Sequence, residues 1–212
     1  VKETILIFLR HGESEANVGH IFNSRDATLH PLTDLGRRQA RRAAETLAAQ
    51  HPAAIYASPL LRARQTAEII AALQTDVPLC FDDRLREVDC GDMEFRSGPD
   101  CEATYAEVQN VWAQGRLLEA MGGGETAEDL RNRLRAVIAE ITDKHAEQTV
   151  FVVCHVALLR WGMTALLADW TPAITRHWKV PHAVPFALRA DSGGFSPVKP
   201  LAELRSWEFP ET

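Results

Sequence analysis

The run Ile5-Leu6-Ile7-Phe8-Leu9 is apolar at every position and ends abruptly at Arg10-His11-Gly12. A strand with one wet face would alternate, so a run with no polar position must be covered on both faces. The chain therefore needs a sheet with helices on both sides. The polar break then falls at the carboxyl end of a central strand, the edge where open α/β sheets bind ligands. A second run, Thr149-Val150-Phe151-Val152-Val153-Cys154, is β-branched and apolar and ends in His155. Parallel pairing would bring His11 and His155 to one edge. Arg10 beside His11 repels a charged imidazole, and an anion such as phosphate relieves that repulsion.

The other segments fit an alternating β/α chain. The polar run from Ser14 to Pro31 reads as a loop serving a site, with Asn17 either an amide donor to an anion or a turn residue. Thr33 is placed to N-cap a helix whose buried stripe is Leu35, Ala43, Leu47 and Ala48, with Arg37, Arg38, Arg41 and Arg42 on a solvated face. Ala53–Ala57 is a short strand, and Pro59 fits the first turn of the next helix. Arg62 near that helix N-terminus reads as ligand-facing, because a cation there forgoes the favourable dipole position. Arg64 reads as structural or exposed. Val77–Phe81 is a third strand, and Glu87, Asp89 and Asp92 after it compete for a general-acid role that composition does not assign. Residues 92–125 read as an insertion forming a lid or site wall, with a helix around Ala103–Trp112. Gly122-Gly123-Gly124 lacks the Lys and Ser/Thr of a P-loop. Thr126 and Asp129 resemble a capping box for a helix to about His145. An apolar helix from about Leu158 to Leu167 and a last strand over Ala183–Arg189 follow, then a turn-rich edge segment beyond Ser192. His177 and His182 suggest zinc only weakly, since Pro181 spoils a helical pairing.

The 212 residues suit one domain, 1–212 with the insertion at about 92–125. A net charge of −6 argues against nucleic acid or an anionic membrane as partner. It leaves room for a small anionic substrate held by a local arginine cluster. Cys80, Cys90, Cys101 and Cys154 form no Cys-x-x-Cys pair and read as reduced thiols of a cytoplasmic protein. The opening apolar run is too short for a secretion leader, and no run is long enough to span a membrane. The sequence carries no signal for oligomeric state, so a homo-oligomer is left open.

Taken together, these motifs resemble the histidine phosphatase superfamily, the phosphoglycerate mutase-like family. Leu9-Arg10-His11-Gly12-Glu13, Ser58-Pro59-Leu60-Leu61-Arg62-Ala63-Arg64-Gln65-Thr66-Ala67, Leu85-Arg86-Glu87 with Gly91, Gly123-Gly124-Glu125-Thr126 and Val153-Cys154-His155 match its signatures in order. Asn17 occupies the family's asparagine position, and Pro31–Gly36 matches the element opening its first helix. The resemblance implies a three-layer α/β sandwich with a mainly parallel sheet flanked by helices. It implies His11 as nucleophile and selects Glu87 as proton donor. Arg10, Arg62 and a protonated His155, with Asn17 helping, would form the phosphate pocket. It implies phosphomonoester hydrolysis through a phosphohistidine, with neither metal nor cofactor. The substrate would be a small phosphorylated metabolite. A phosphoglycerate mutase is the alternative, but it needs basic residues in its lid. Here Asp92, Glu94, Asp100, Glu102, Glu107 and Glu119 face only Arg96 and Arg116. An inactive phosphate-binding member is a further alternative. Three departures bear on pocket shape: Val156 and Phe95 stand where glycine is common, and the loop between Asn17 and Leu32 is longer than in many members.

Overall fold

The structure, a computed structural model, describes residues 3–198. Along the chain come β1 (Thr4–Arg10), α1 (Glu15–Val18), α2 (Asp34–Leu47), β2 (Ala54–Ala57), α3 (Leu61–Ala71), β3 (Leu79–Phe81) and α4 (Pro99–Ala113). Then follow α5 (Ala127–Lys144), β4 (Thr149–Cys154), α6 (Val156–Gly162), α7 (Pro172–Arg176), β5 (Phe186–Asp191) and β6 (Gly194–Pro197). Among the described residues the strands form one six-stranded sheet in the order β3-β2-β4-β1-β5-β6. β3, β2, β4 and β1 run parallel, and β5 and β6 add antiparallel at one edge. The mainly parallel α/β sandwich is thus present.

The period of two along each strand sorts side chains into two cores. Leu6, Phe8, Val150 and Val152 pack on one face with Leu134 of α5 and Trp161 of α6. Ile7, Leu9, Phe151 and Val153 pack on the other with Ala43 and Leu47 of α2 and Ala63 and Ile70 of α3. Both faces of β1 and β4 are covered, which is why neither strand alternates in sequence. Their register sets Arg10 opposite Cys154, so His11 and His155 leave the sheet side by side. The His11 amide donates to the Cys154 carbonyl at 3.0 Å.

Several expectations change. In α2, Leu35 is 42% exposed, and Ala48 follows the helix as its C-cap; the buried line is Gly36, Ala40, Ala43, Ala44 and Leu47. Its small residues let the helix start press against the turn after β1. A Cβ on Gly36 would lie 1.9 Å from the Glu13 carbonyl oxygen, and one on Gly12 would lie 2.4 Å from that of Gly36. Gly12 is therefore required for close approach of backbones. Leu60, not Pro59, is adjacent to α3 as its N-cap. α4 is longer than expected, starting at Pro99. The apolar helix after β4 starts at Val156 and tightens into a 3₁₀ turn over Met163–Ala165. The last expected strand starts at Phe186 because Ala183 takes a φ of 54° while its amide bonds the Arg10 carbonyl. β6 supplies the edge segment beyond Ser192, and the expected domain extends on to residues outside those described.

Candidate active site

The two strand ends and the start of α3 converge. His11 Nδ1 donates to the carbonyl of Gly12 at 2.6 Å, and its Nε2 accepts from Arg62 Nε at 3.2 Å. These bonds select the Nδ1–H tautomer and leave the Nε2 lone pair pointing at a guanidinium. The imidazole is 2% exposed. Burial first, then Arg62, His155 and Arg10, hold its pKa well below the ordinary value, so His11 is neutral. A neutral imidazole with one fixed tautomer is a nucleophile.

Arg62 is buried in the first turn of α3, its Nη2 tied to the Asn23 carbonyl at 2.9 Å. Arg10 Nη1 donates to the Val180 carbonyl at 3.0 Å. Burial lowers both guanidinium pKa values to about 10, with Glu87 the leading charge acting the other way. Arg10 Nε, Arg62 Nη1 and His155 Nδ1 are buried without a hydrogen-bond partner. Buried donors of this kind are normally satisfied, so a cluster beside two under-compensated cations marks a place for an anion. His155 is fully buried, with Nε2 2.8 Å from Ser58 Oγ. The expected protonated His155 is corrected for the free enzyme: burial first, then Arg62, Arg133 and Arg10, hold it neutral.

Of the three competing carboxylates, Glu87 lines the cleft with Arg10, His11 and Arg62. Asp89 is instead held by Arg25 at 2.7 and 3.0 Å, and Asp92 is exposed. Glu87 accepts from the amides of Val88, Ala157 and Leu158 at 2.9 to 3.3 Å, which pins it against the start of α6. Its loop is clamped from behind by Arg133. Arg133 Nη1 donates to the carbonyls of Arg84 and Arg86, both at 2.7 Å, and Nη2 to that of Glu87 at 3.2 Å. Glu125 orients Arg133 at 2.8 and 3.1 Å and accepts the Asp89 amide. Buried Glu94 accepts from the amide and hydroxyl of Ser24 and the amide of Cys90, joining the 14–31 loop to the loop that carries Glu87. Asn17 lines the cleft; its Oδ1 takes the Ser14 amide and hydroxyl, leaving its NH₂ as the donor.

Comparison with known proteins decides the family. Residues 6–200 match the histidine phosphatase superfamily (branch 1). The chain belongs to that superfamily. Phosphoserine phosphatase 1 of Hydrogenobacter thermophilus is 32% identical over 163 residues, 76% of this chain and 75% of that protein. Glucosyl-3-phosphoglycerate phosphatase of Mycobacterium tuberculosis is 32% identical over 181 residues, 80% of this chain and 79% of that one. Among solved structures, Bacillus stearothermophilus YhfR superposes with a TM-score of 0.81 at 29% identity, covering 93% of this chain and 96% of its own. Phosphoglycerate mutases are also among the relatives.

Of the three departures read from the sequence, the 17–32 loop and Val156 contribute to the lining of the cleft and Phe95 does not. Val156 lines it directly. Phe95 takes a φ of 63°, the left-handed region that a glycine would occupy without strain, and is half-exposed. Its amide donates to the Phe22 carbonyl at 2.7 Å. Two site features escaped the sequence reading. His182, read there only as a weak zinc candidate, packs 5.6 Å from His11 and donates from Nδ1 to the His11 carbonyl at 3.0 Å. Arg133 carried no motif that marked it, and only its long-range bonds reveal it. Arg64, read as structural or exposed, is half-buried with its guanidinium 5.3 Å from the Phe81 ring centre.

Proposed function

We propose that the enzyme hydrolyses phosphate monoesters of small metabolites through a phosphohistidine on His11, without a metal ion. The observation carrying this is the neutral His11 Nε2 facing buried, under-compensated Arg62. The phosphoryl group enters between them and replaces His11 as partner of Arg62. Nε2 attacks phosphorus in line, the ester P–O bond breaks, and Glu87 passes to the leaving oxygen a proton that it took from the monoanionic ester on binding. His11 keeps its one ring proton on Nδ1, donated to the Gly12 carbonyl, so the N–P bond forms without a separate deprotonation. Water then attacks phosphorus, Glu87 takes its proton, the N–P bond breaks and phosphate leaves. Arg10, Arg62 and the Asn17 amide hold the phosphoryl oxygens. With Ser58 donating to Nε2, neutral His155 offers its Nδ1–H to the same group.

The reading as a phosphatase rather than a mutase is supported by the wall opposite. α4 carries no lysine or arginine, and Glu102 on it is occupied with His20 at 2.9 Å. We place the enzyme in the cytoplasm, which suits its four free cysteines; no described helix is long and apolar enough to cross a membrane. A small phosphorylated molecule is the partner proposed, with no role for nucleic acid or membrane. The test is hydrolysis of p-nitrophenyl phosphate with a metal chelator present, for wild type, His11→Ala and Glu87→Gln. Activity that survives chelation and vanishes in His11→Ala is expected. Loss on chelation, or an active His11→Ala, would overturn the mechanism.

A further inference from the structure

The cleft, about 270 Å³ in volume, has two chemically distinct ends. Arg10, His11, Arg62 and Glu87 gather at the phosphate end. The remaining wall is largely apolar, built from Ile21, Phe22, Val88, Tyr105 and Val156. The rings of Phe22 and Tyr105 lie 5.2 Å apart at 42°, a tilted aromatic pair. Phe22 is firmly held: its amide bonds the Arg96 carbonyl at 3.1 Å and its carbonyl takes the Phe95 amide at 2.7 Å. Val156 follows His155 directly, so its branched side chain stands next to the phosphate end. Arg10 and Arg62 are the arginines of this lining, and both belong to the phosphate end. At the mouth, His20 Nδ1 lies 2.9 Å from Glu102 Oε1.

We propose that the leaving group this site selects is an apolar, ring-sized alcohol with no second anionic group. The proposal rests on the phosphomonoesterase reading and specifies the half of the substrate that reading leaves open. Phe22, Tyr105 and Val156 are its specificity-determining residues. A ring laid against the Phe22–Tyr105 pair gains burial on a preformed apolar surface, worth about ten- to a hundredfold in affinity. A carboxylate in the same place, as in a phosphoglycerate, would lose water against apolar side chains, and the nearby Arg160 is already bonded to the Trp178 carbonyl and Gln109. Val156 narrows the approach beside the phosphoryl group, which suits a flat ring entering edge-on.

The experiment compares 1-naphthyl phosphate, cyclohexyl phosphate, phosphoserine and 3-phosphoglycerate. Cyclohexyl phosphate controls for leaving-group reactivity, since its alcohol leaves no more readily than that of serine. Two quantities are read: kcat/KM with wild type, and equilibrium binding to the His11→Ala variant. Both ring esters should exceed 3-phosphoglycerate by about tenfold or more in each. Phe22→Ala should contract that ratio to near one, and Phe22→Leu, which keeps apolar bulk, should retain part of it. Equal or better turnover and binding of phosphoserine or 3-phosphoglycerate overturns the proposal, as does a ratio that Phe22→Ala leaves unchanged. Preferential binding of the ring esters with no hydrolysis of any ester would sustain the apolar subsite while removing the phosphatase reading.

Discussion

Replacing Arg133 with methionine should weaken catalysis through Glu87 although Arg133 is outside the lining of the substrate cleft. The guanidinium gives bonds of 2.7, 2.7 and 3.2 Å to the carbonyls of residues 84, 86 and 87 and two more to Glu125. Methionine keeps much of the stem and removes all five. Hydrogen bonds from a charged donor are each worth about 1.5–3 kcal/mol. The Arg133 side chain is 15% exposed and borders a second hollow beside Asp89 and Glu125, so water replaces part of the loss. A net destabilisation of about 2–3 kcal/mol is expected. The catalytic cost is bounded by the whole contribution of a general acid, about 10²–10⁴-fold. Glu87 retains its bonds to the amides of Ala157 and Leu158, so only part of that is lost, about 10- to 100-fold in kcat. The discriminating assay compares an alkyl phosphate, whose leaving oxygen needs a proton, with p-nitrophenyl phosphate, whose leaving group does not. Arg133→Met should impair the first far more than the second, in the pattern of Glu87→Gln but smaller. An equal loss on both substrates, or a loss of stability with kcat unchanged, would refute a positioning role.

Two further expectations concern stability. His11, His155 and His182 are held neutral in the fold, each chiefly by burial, with the His182 pKa lowered to about 3. In the unfolded chain they titrate near the ordinary value of about 6.5, so below that pH the unfolded state binds more protons and stability falls as pH falls. For His182 the loss runs from about pH 6.5 toward 3 at about 1.4 kcal/mol per pH unit; urea unfolding at pH 7.5 and 5.5 reads it, and a flat profile would count against three neutral imidazoles. Gly36→Ala would ordinarily favour a helix by about 1 kcal/mol, but its Cβ would lie 1.9 Å from the Glu13 carbonyl oxygen. The clash wins, so Tm should drop by several degrees, and an unchanged or higher Tm would refute the close-approach role.

Much of the site could be read before the fold because its parts sit at element ends that the sequence marks sharply. His11 and His155 each follow an unbroken apolar run, and parallel pairing of those runs is enough to bring them together. Arg62 was legible from its place at a helix start. The choice among Glu87, Asp89 and Asp92 was not legible from composition, and only the family resemblance picked Glu87, because three carboxylates within six positions differ only in what the folded loop sets beside them. The stripe of α2 was misread for a related reason. Hydrophobicity favoured Leu35, whereas the close contact with the turn after β1 admits only the small Gly36.

Local sequence determined the elements. Continuous apolar runs demand two-sided burial, and side chains such as Thr33 and Thr126 cap the helices that follow them. Tertiary structure decided the chemistry of individual groups. The tautomer of His11 depends on Arg62, 51 residues away, and the pinning of Glu87 on amides some 70 residues distant. The neutrality of His155 depends on burial that no neighbour in sequence supplies. Such properties are set by through-space distance and by exclusion of water, and neither exists until the chain has folded.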